Sequence, residues 1–128
     1  MAAVLTLSEA LNQGGMVVWE PPDRPRLRVA RRWVEAIQRD EVEVREVLRR
    51  AVLFRRQLEA AASGPITPYF LLPECGEVRS GQCISCGEDL PEPSNARRRL
   101  PVRCLPCIAA LYLAFDQPQR LAGIVGPS

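Results

Sequence analysis

Cys83-Ile84-Ser85-Cys86-Gly87 and Cys104-Leu105-Pro106-Cys107 are the stretches on which the fold of this chain turns. They form two Cys-x-x-Cys pairs separated by residues 87–103, inside the spacing of a four-thiolate zinc site. Zn²⁺ takes about four ligands at tetrahedral angles, with Zn–S near ~2.3 Å. One Cys-x-x-Cys turn presents two sulfurs to the ion, and the second turn closes the shell. Gly87 suits the bend after the first pair, because glycine reaches positive φ at little steric cost. Two disulfides, a redox pair or unrelated buried cysteines are the alternatives. Four thiolates leave no open coordination position, and the chain has no histidine. The sequence therefore predicts one structural zinc ion held by Cys83, Cys86, Cys104 and Cys107.

The chain has 128 residues, enough for one domain or two very small ones. With 47% hydrophobic and 25% charged residues it belongs with folded rather than disordered chains. No run approaches the ~20 apolar residues of a membrane span. The N-terminus lacks the basic region and apolar run of a secretory signal. A cytoplasmic protein is expected, in a compartment where paired cysteines mean metal more often than disulfide.

The formal charge of +2 counts the cysteines as neutral. Four thiolates around Zn²⁺ add −2 and bring the metal-loaded chain near zero, so no global pull on nucleic acid is expected. The charge is segregated instead. Residues 24–56 hold eleven arginines against five acids, and residues 74–93 hold Arg79 against Glu74, Glu77, Glu88, Asp89 and Glu92. Arg97, Arg98, Arg99 and Arg103 form a basic run without acids.

Taken in order, Thr6-Leu7-Ser8-Glu9 has capping-box spacing and predicts a short first helix, stopped by Gly14-Gly15. Met16–Trp19 reads as a strand, residues 21–25 as a proline-rich turn, and Arg26–Val29 as a second strand. The resulting hairpin has Arg26 and Arg28 on one face and Leu27 and Val29 on the other. Trp33, Val34 and Ile37 mark a helix over 31–38. A long helix follows over 41–62, roughly 33 Å at 1.5 Å per residue, with Asp40 as its cap and Ser63-Gly64-Pro65 as its stop. Its apolar face is Val44, Val47, Leu48, Ala51, Leu58 and Ala62. Glu41–Arg45 and Glu46–Arg50 are favourable pairs one turn apart. Arg45, Arg49 and Arg56 line one flank. Leu53 projects away from the apolar face and Phe54 sits at its edge, so a covering element is expected there: the cysteine module, a second copy or a partner.

This αββαα order resembles the TubC-type N-terminal docking domain. The likeness rests on Leu7-Ser8-Glu9-Ala10-Leu11, Gly15-Met16-Val17-Val18-Trp19, Arg26-Leu27-Arg28-Val29 and Val44-Arg45-Glu46-Val47-Leu48-Arg49-Arg50, and covers about residues 5–60. The resemblance implies a small non-catalytic module, often a homodimer, whose exposed hairpin takes up the acidic tail of a protein partner. Similar sequences occur in small proteins of bacterial mobile elements as well as at the ends of modular synthases. Here a cysteine module follows instead of a synthase domain. The partner-binding residues implied are Arg24, Arg26 and Arg28.

Residues 63–73 form a proline-rich connector in which Tyr69-Phe70-Leu71-Leu72 is too apolar for a free linker and is expected to pack across the first module or to pair as a short strand. The cysteine module spans 74–117, and residues 118–128 read as a loose tail. Its order is a first knuckle, a loop through Pro91, Pro93 and Asn95, a basic strand over 97–103, and a helix over 107–115 carrying the second pair in its first turn. That is the order of a treble clef. The stretch is similar to the zinc finger of the DksA/TraR type, which also reads Cys-x-x-Cys-Gly, then Pro, then Cys-x-x-Cys before a helix. The acidic coiled-coil tip of that family has no counterpart here. Cys75 stands outside the two-pair pattern as a free thiol, an exchange ligand or a redox-sensitive neighbour of the site.

No histidine, glycine-rich phosphate loop or nucleophile elbow is present. The expectation is an α+β, non-enzymatic, zinc-binding adapter. Nucleic-acid association, of a mobile-element or replication accessory kind, rests on Arg97, Arg98, Arg99 and Arg103 and on the Arg45/Arg49/Arg56 stripe. Only seven aromatic residues accompany them, which argues against base stacking. The alternative is protein docking through the hairpin.

Overall fold

The computed structural model describes residues 2–21, 24–62, 70–79, 81–90 and 103–121. Among these the chain is α+β, with four α-helices and one two-stranded antiparallel sheet. The elements are α1 (Ala2–Asn12), β1 (Met16–Glu20), β2 (Arg24–Arg28), α2 (Arg31–Arg39), α3 (Glu41–Ala62) and α4 (Leu105–Ala114), followed by a 3₁₀ turn at Pro118–Arg120.

Helix α1 begins one turn earlier than its capping-box spacing suggests. Ala3, Val4, Leu7, Ala10 and Leu11 fall on one face and are buried, so the first turn is held by packing rather than by a local cap. Thr6 lies inside the helix and donates its hydroxyl to Asp40 Oδ2 at 3.1 Å. The helix ends at Gly14, with φ +93°, and Gly15 donates to the Ala10 carbonyl at 3.0 Å. A Cβ on Gly15 would lie 2.6 Å from that same oxygen, so only glycine fits the approach.

Strands β1 and β2 pair from Met16↔Arg28 to Glu20↔Arg24. The second strand starts at Arg24 and takes in Pro25, two residues before the expected start. A strand that pairs on one side only tolerates the missing N–H. Val17, Trp19 and Leu27 pack against the core. Arg24, Arg26 and Arg28 are all exposed, and the pairing puts them on one face with Met16, Val18 and Glu20.

Helix α3 runs over the expected residues and is the spine of the fold. Val44, Val47, Ala51 and Phe54 are buried along it. Phe54, expected at the edge of the face, is fully covered. The connector's Phe70 ring meets Phe54 edge-on at 6.0 Å, and Phe115, just past the end of α4, meets Phe70 at 5.5 Å. Phe70 reaches this place with a left-handed backbone, φ 53°. Leu53 also packs on the core. Leu72 is buried and Phe70 packs partly buried against the core, while Leu71 is exposed and Tyr69 lies outside the described residues.

Helix α4 begins two residues before Cys107, with Pro106 in its first turn, where a missing N–H costs nothing. Arg55 of α3 caps its far end, donating to the Ala114 carbonyl at 2.9 Å and pairing with Asp116 at 3.2 Å. A cation there complements the helix dipole. The same guanidinium lies 4.4 Å from the centre of the Trp19 ring, and Trp19 Nε1 donates to the Leu113 carbonyl at 3.3 Å. The hairpin is thus clamped to both α3 and α4. Leu121 is fully buried, so the segment expected to be a tail from residue 118 is ordered through 121. One hydrophobic core contains residues of α1, α3, the connector, the first cysteine turn, α4 and Leu121. The segments 1–62 and 74–117, separable in sequence, share it. No helix among the described residues is long and apolar enough to cross a membrane.

Candidate metal centre

The first cysteine pair sits in a tight knuckle. Its base is a bridge between Gln82 and Asp89, closed by Leu90 N–H to the Gly81 carbonyl at 2.8 Å and Cys83 N–H to the Glu88 carbonyl at 2.7 Å. At its tip Gly87 N–H donates to the Cys83 carbonyl at 2.8 Å, with Gly87 at φ +80°. The glycine after the pair is therefore required by the backbone. Ser85 N–H points at Cys83 Sγ, 3.4 Å away. Leu72 N–H donates to the Ser85 carbonyl at 2.9 Å and ties the connector to the knuckle.

The second pair straddles the start of α4. Cys104 occupies the N-cap position and Cys107 the first turn. Helix amide dipoles there favour sulfur as thiolate. The four sulfurs lie within 4.8 Å of one another, and Cys86 and Cys104 are 3.6 Å apart. Four sulfurs around an ion at ~2.3 Å stand about 3.8 Å apart by tetrahedral geometry. All five cysteines are free, and the 3.6 Å separation is far beyond the ~2.05 Å of a disulfide. The donor set, buried at Cys83 and Cys107 and half-exposed at Cys86 and Cys104, can hold one metal ion.

The thiols perturb one another. A hydrogen bond from Cys107 holds Cys104 down to about 5. Burial pushes Cys86 up to about 12. The hydrogen bond to Cys104, together with burial, pushes Cys107 up. A divalent cation removes this crowding, because it takes all four sulfurs as thiolates.

Arg50 of α3 reaches this cluster. Its Nη1 donates to Cys107 Sγ at 3.2 Å and lies 3.7 Å from Cys104 Sγ. Nε donates to Glu46 Oε1 at 3.0 Å, and Nη2 lies 3.9 Å from Glu88 of the knuckle. The residue is only 8% exposed. Burial works against its charge, but the bonds to Glu46 and Cys107 outweigh it and hold its pKa above the ordinary value. From sequence Arg50 is a surface partner of Glu46. Its position between Val47 and Phe54 on the buried stripe is the signal that it faces inward. Ser85, fully buried beside Cys83, is the other unanticipated member.

Arg103 donates Nε to Ser85 Oγ at 3.0 Å, one hydrogen bond removed from Cys83. Arg97, Arg98 and Arg99 and the loop through Pro91, Pro93 and Asn95 lie outside the described residues. Of the helix stripe, Arg45 pairs with Glu41 at 2.5 Å, and Arg49 pairs with Glu46 at 2.7 Å and also with Glu74. Arg24 and Arg28 make no ion pair among the described residues, while Arg26 pairs with Glu20 at 3.1 Å. Cys75 is not one of the four clustered sulfurs, though a Cβ on Gly87 would lie 3.8 Å from its Sγ.

Glu46 joins both arginines, and the hydrogen bond from Arg49 leads in lowering its pKa from 4.5 to about 2. A depressed carboxylate contributes stability that is present above its unfolded pKa and is lost as pH falls through the folded one. Glu46 is 37% exposed at the side chain, so solvent screening reduces the gain to about 1 kcal/mol. Glu46→Gln is expected to be less stable than the parent by that amount at pH 7. The gap should close between pH 4.5 and about 2 in paired denaturation curves. Metal release as the thiols protonate would unfold both proteins, so the comparison runs down only to the pH at which both remain metal-loaded. A gap that stays constant with pH would exclude the carboxylate as its source.

No family model, no curated protein and no solved structure matches the chain.

Proposed function

We propose that the four sulfurs hold one structural Zn²⁺ and that the chain is a non-enzymatic adapter whose hairpin receives an acidic segment of a protein partner. Tetrahedral all-sulfur sites suit zinc or iron, and a closed shell without a redox partner favours zinc. The observation that carries the docking role is the open face of the hairpin. Arg24, Arg26 and Arg28 stand exposed in alternation on β2, and Met16, more than half exposed, lies on the same face. Behind it, Trp19 is clamped by Arg55 and Leu113. A fixed ribbon with a basic and partly apolar face, its outer edges unpaired among the described residues, suits an extended strand carrying acids. The resemblance to TubC-type docking domains points the same way.

The nucleic-acid role draws less support from the fold. Arg45, Arg49 and Arg103 are all engaged within the chain, and Arg97, Arg98 and Arg99 lie outside the described residues. One comparison separates the two. A labelled peptide alternating Glu or Asp with Val or Leu should bind the parent, and Arg26→Glu with Arg28→Glu should abolish binding while costing stability only the small loss of the surface Arg26–Glu20 pair. Peptide binding that survives the double reversal would count against docking. Binding to a mixed-sequence duplex with log K falling by about 0.9 per phosphate contact against log salt would favour nucleic acid instead.

A further inference from the structure

We propose that Arg50 is the outer-sphere counter-ion of the four-cysteine centre, so that α3 supplies part of the metal site. The centre brings two negative charges into the fold when four thiolates close around a divalent ion. Arg50 is placed to answer them. One nitrogen faces both sulfurs of the second pair, at 3.2 and 3.7 Å. The other two face Glu46 of its own helix and Glu88 of the knuckle. A single guanidinium therefore joins three segments.

Pairing with Glu46 alone does not explain this placement. Glu46 is 37% exposed and already bonded by Arg49, and a surface pair of that kind forms without burying either partner. Burying an arginine to 8% exposure is costly unless a desolvated anion accompanies it. Among the described residues, the group at that depth that becomes anionic, once a metal ion takes its sulfurs as thiolates, is the cysteine cluster, with Cys107 fully buried. Charge-assisted N–H···S contacts also withdraw electron density from the sulfurs and slow their loss to competing chelators and electrophiles.

The proposal rests on the metal-site reading, and Co²⁺ in place of Zn²⁺ tests both. Arg50→Met keeps volume and removes the charge. Arg50→Lys keeps the charge but reaches one sulfur instead of two. Loss of an outer-sphere partner typically costs 10–100-fold in metal affinity. In competition with a chromophoric chelator, Arg50→Met should bind Co²⁺ about that much more weakly, with Arg50→Lys between it and the parent. The sulfur-to-cobalt charge-transfer bands of both variants should move to lower energy while the tetrahedral ligand-field bands keep their intensity. A merely structural arginine would leave those bands in place. If Arg50→Met does not fold, Arg50→Lys carries the comparison. Unshifted bands in the folded variant would overturn the proposal whatever its affinity, because lost stability alone also weakens metal binding in a shared core. A parent chain that binds no Co²⁺ would instead overturn the metal centre itself.

Discussion

Removing the metal, or replacing Cys83 with serine, is expected to collapse the cooperative fold of the whole chain rather than of its second half alone. Structural zinc sites contribute about 10–16 kcal/mol of apparent folding free energy in small zinc-finger peptides. A typical domain has only about 5–15 kcal/mol in total. Without the ion, the described links between the knuckle and the start of α4 reduce to the Arg103–Ser85 hydrogen bond and the Arg50 guanidinium, which reaches Glu88 and Cys107. Helix α4 then loses its anchor, and with it go the cover over Phe54 and the Leu113 carbonyl that fixes Trp19. Arg50 keeps Glu46 but loses the anion that justifies its burial.

The measurement is direct. Purified reduced protein should carry one zinc per chain by metal analysis. Stripping with a chelator should abolish the near-UV circular dichroism and expose amides of α3 as well as α4 to hydrogen exchange. Restoring Zn²⁺ should restore both. Retention of the native spectrum in metal-free reduced protein would sink the structural role of the ion. Selective melting of residues 70–121 with α1–α3 fully protected would show that the shared core is not cooperative.

The cysteine positions, the helix periods and the hairpin are legible in the sequence because each is a local pattern with its own physics. Cys-x-x-Cys-Gly needs one turn of backbone, and the apolar stripe of α3 needs only its period. What was not legible depends on residues far apart in the chain. Arg50 reads as one member of a surface pair because its sulfur partners lie 54 and 57 residues away. Phe54 reads as an edge residue because a one-sided helix shows a single stripe, whereas α3 packs on α1 and on α4. The capping box at Thr6 gives way to burial of Ala3 and Val4, a tertiary gain that no local cap records. Leu121 looks like tail because its burial depends on α1, at the opposite end of the sequence.

Phe54→Ala is expected to cost about 3–5 kcal/mol, the usual range for deleting a fully buried aromatic ring. Phe54 has no exposed surface, and its ring begins the edge-on series that continues through Phe70 to Phe115. Such contacts add about 0.5–1.5 kcal/mol beyond area burial. For a chain of this size the melting temperature should fall by roughly 10–20 °C. The more telling consequence lies at the metal. If the cysteine half folded on its own, a ring removed from α3 would leave Co²⁺ affinity untouched. In a single core, folding and metal binding draw on the same free energy. The destabilised variant should then bind Co²⁺ more weakly, although the mutation touches no ligand, and it should melt in one transition that rises with metal concentration. Phe54→Leu, which refills most of the volume, should recover much of both losses. Two separate transitions in Phe54→Ala, with Co²⁺ affinity within twofold of the parent, would mean that the N-terminal helices and the metal centre are independent units that merely touch.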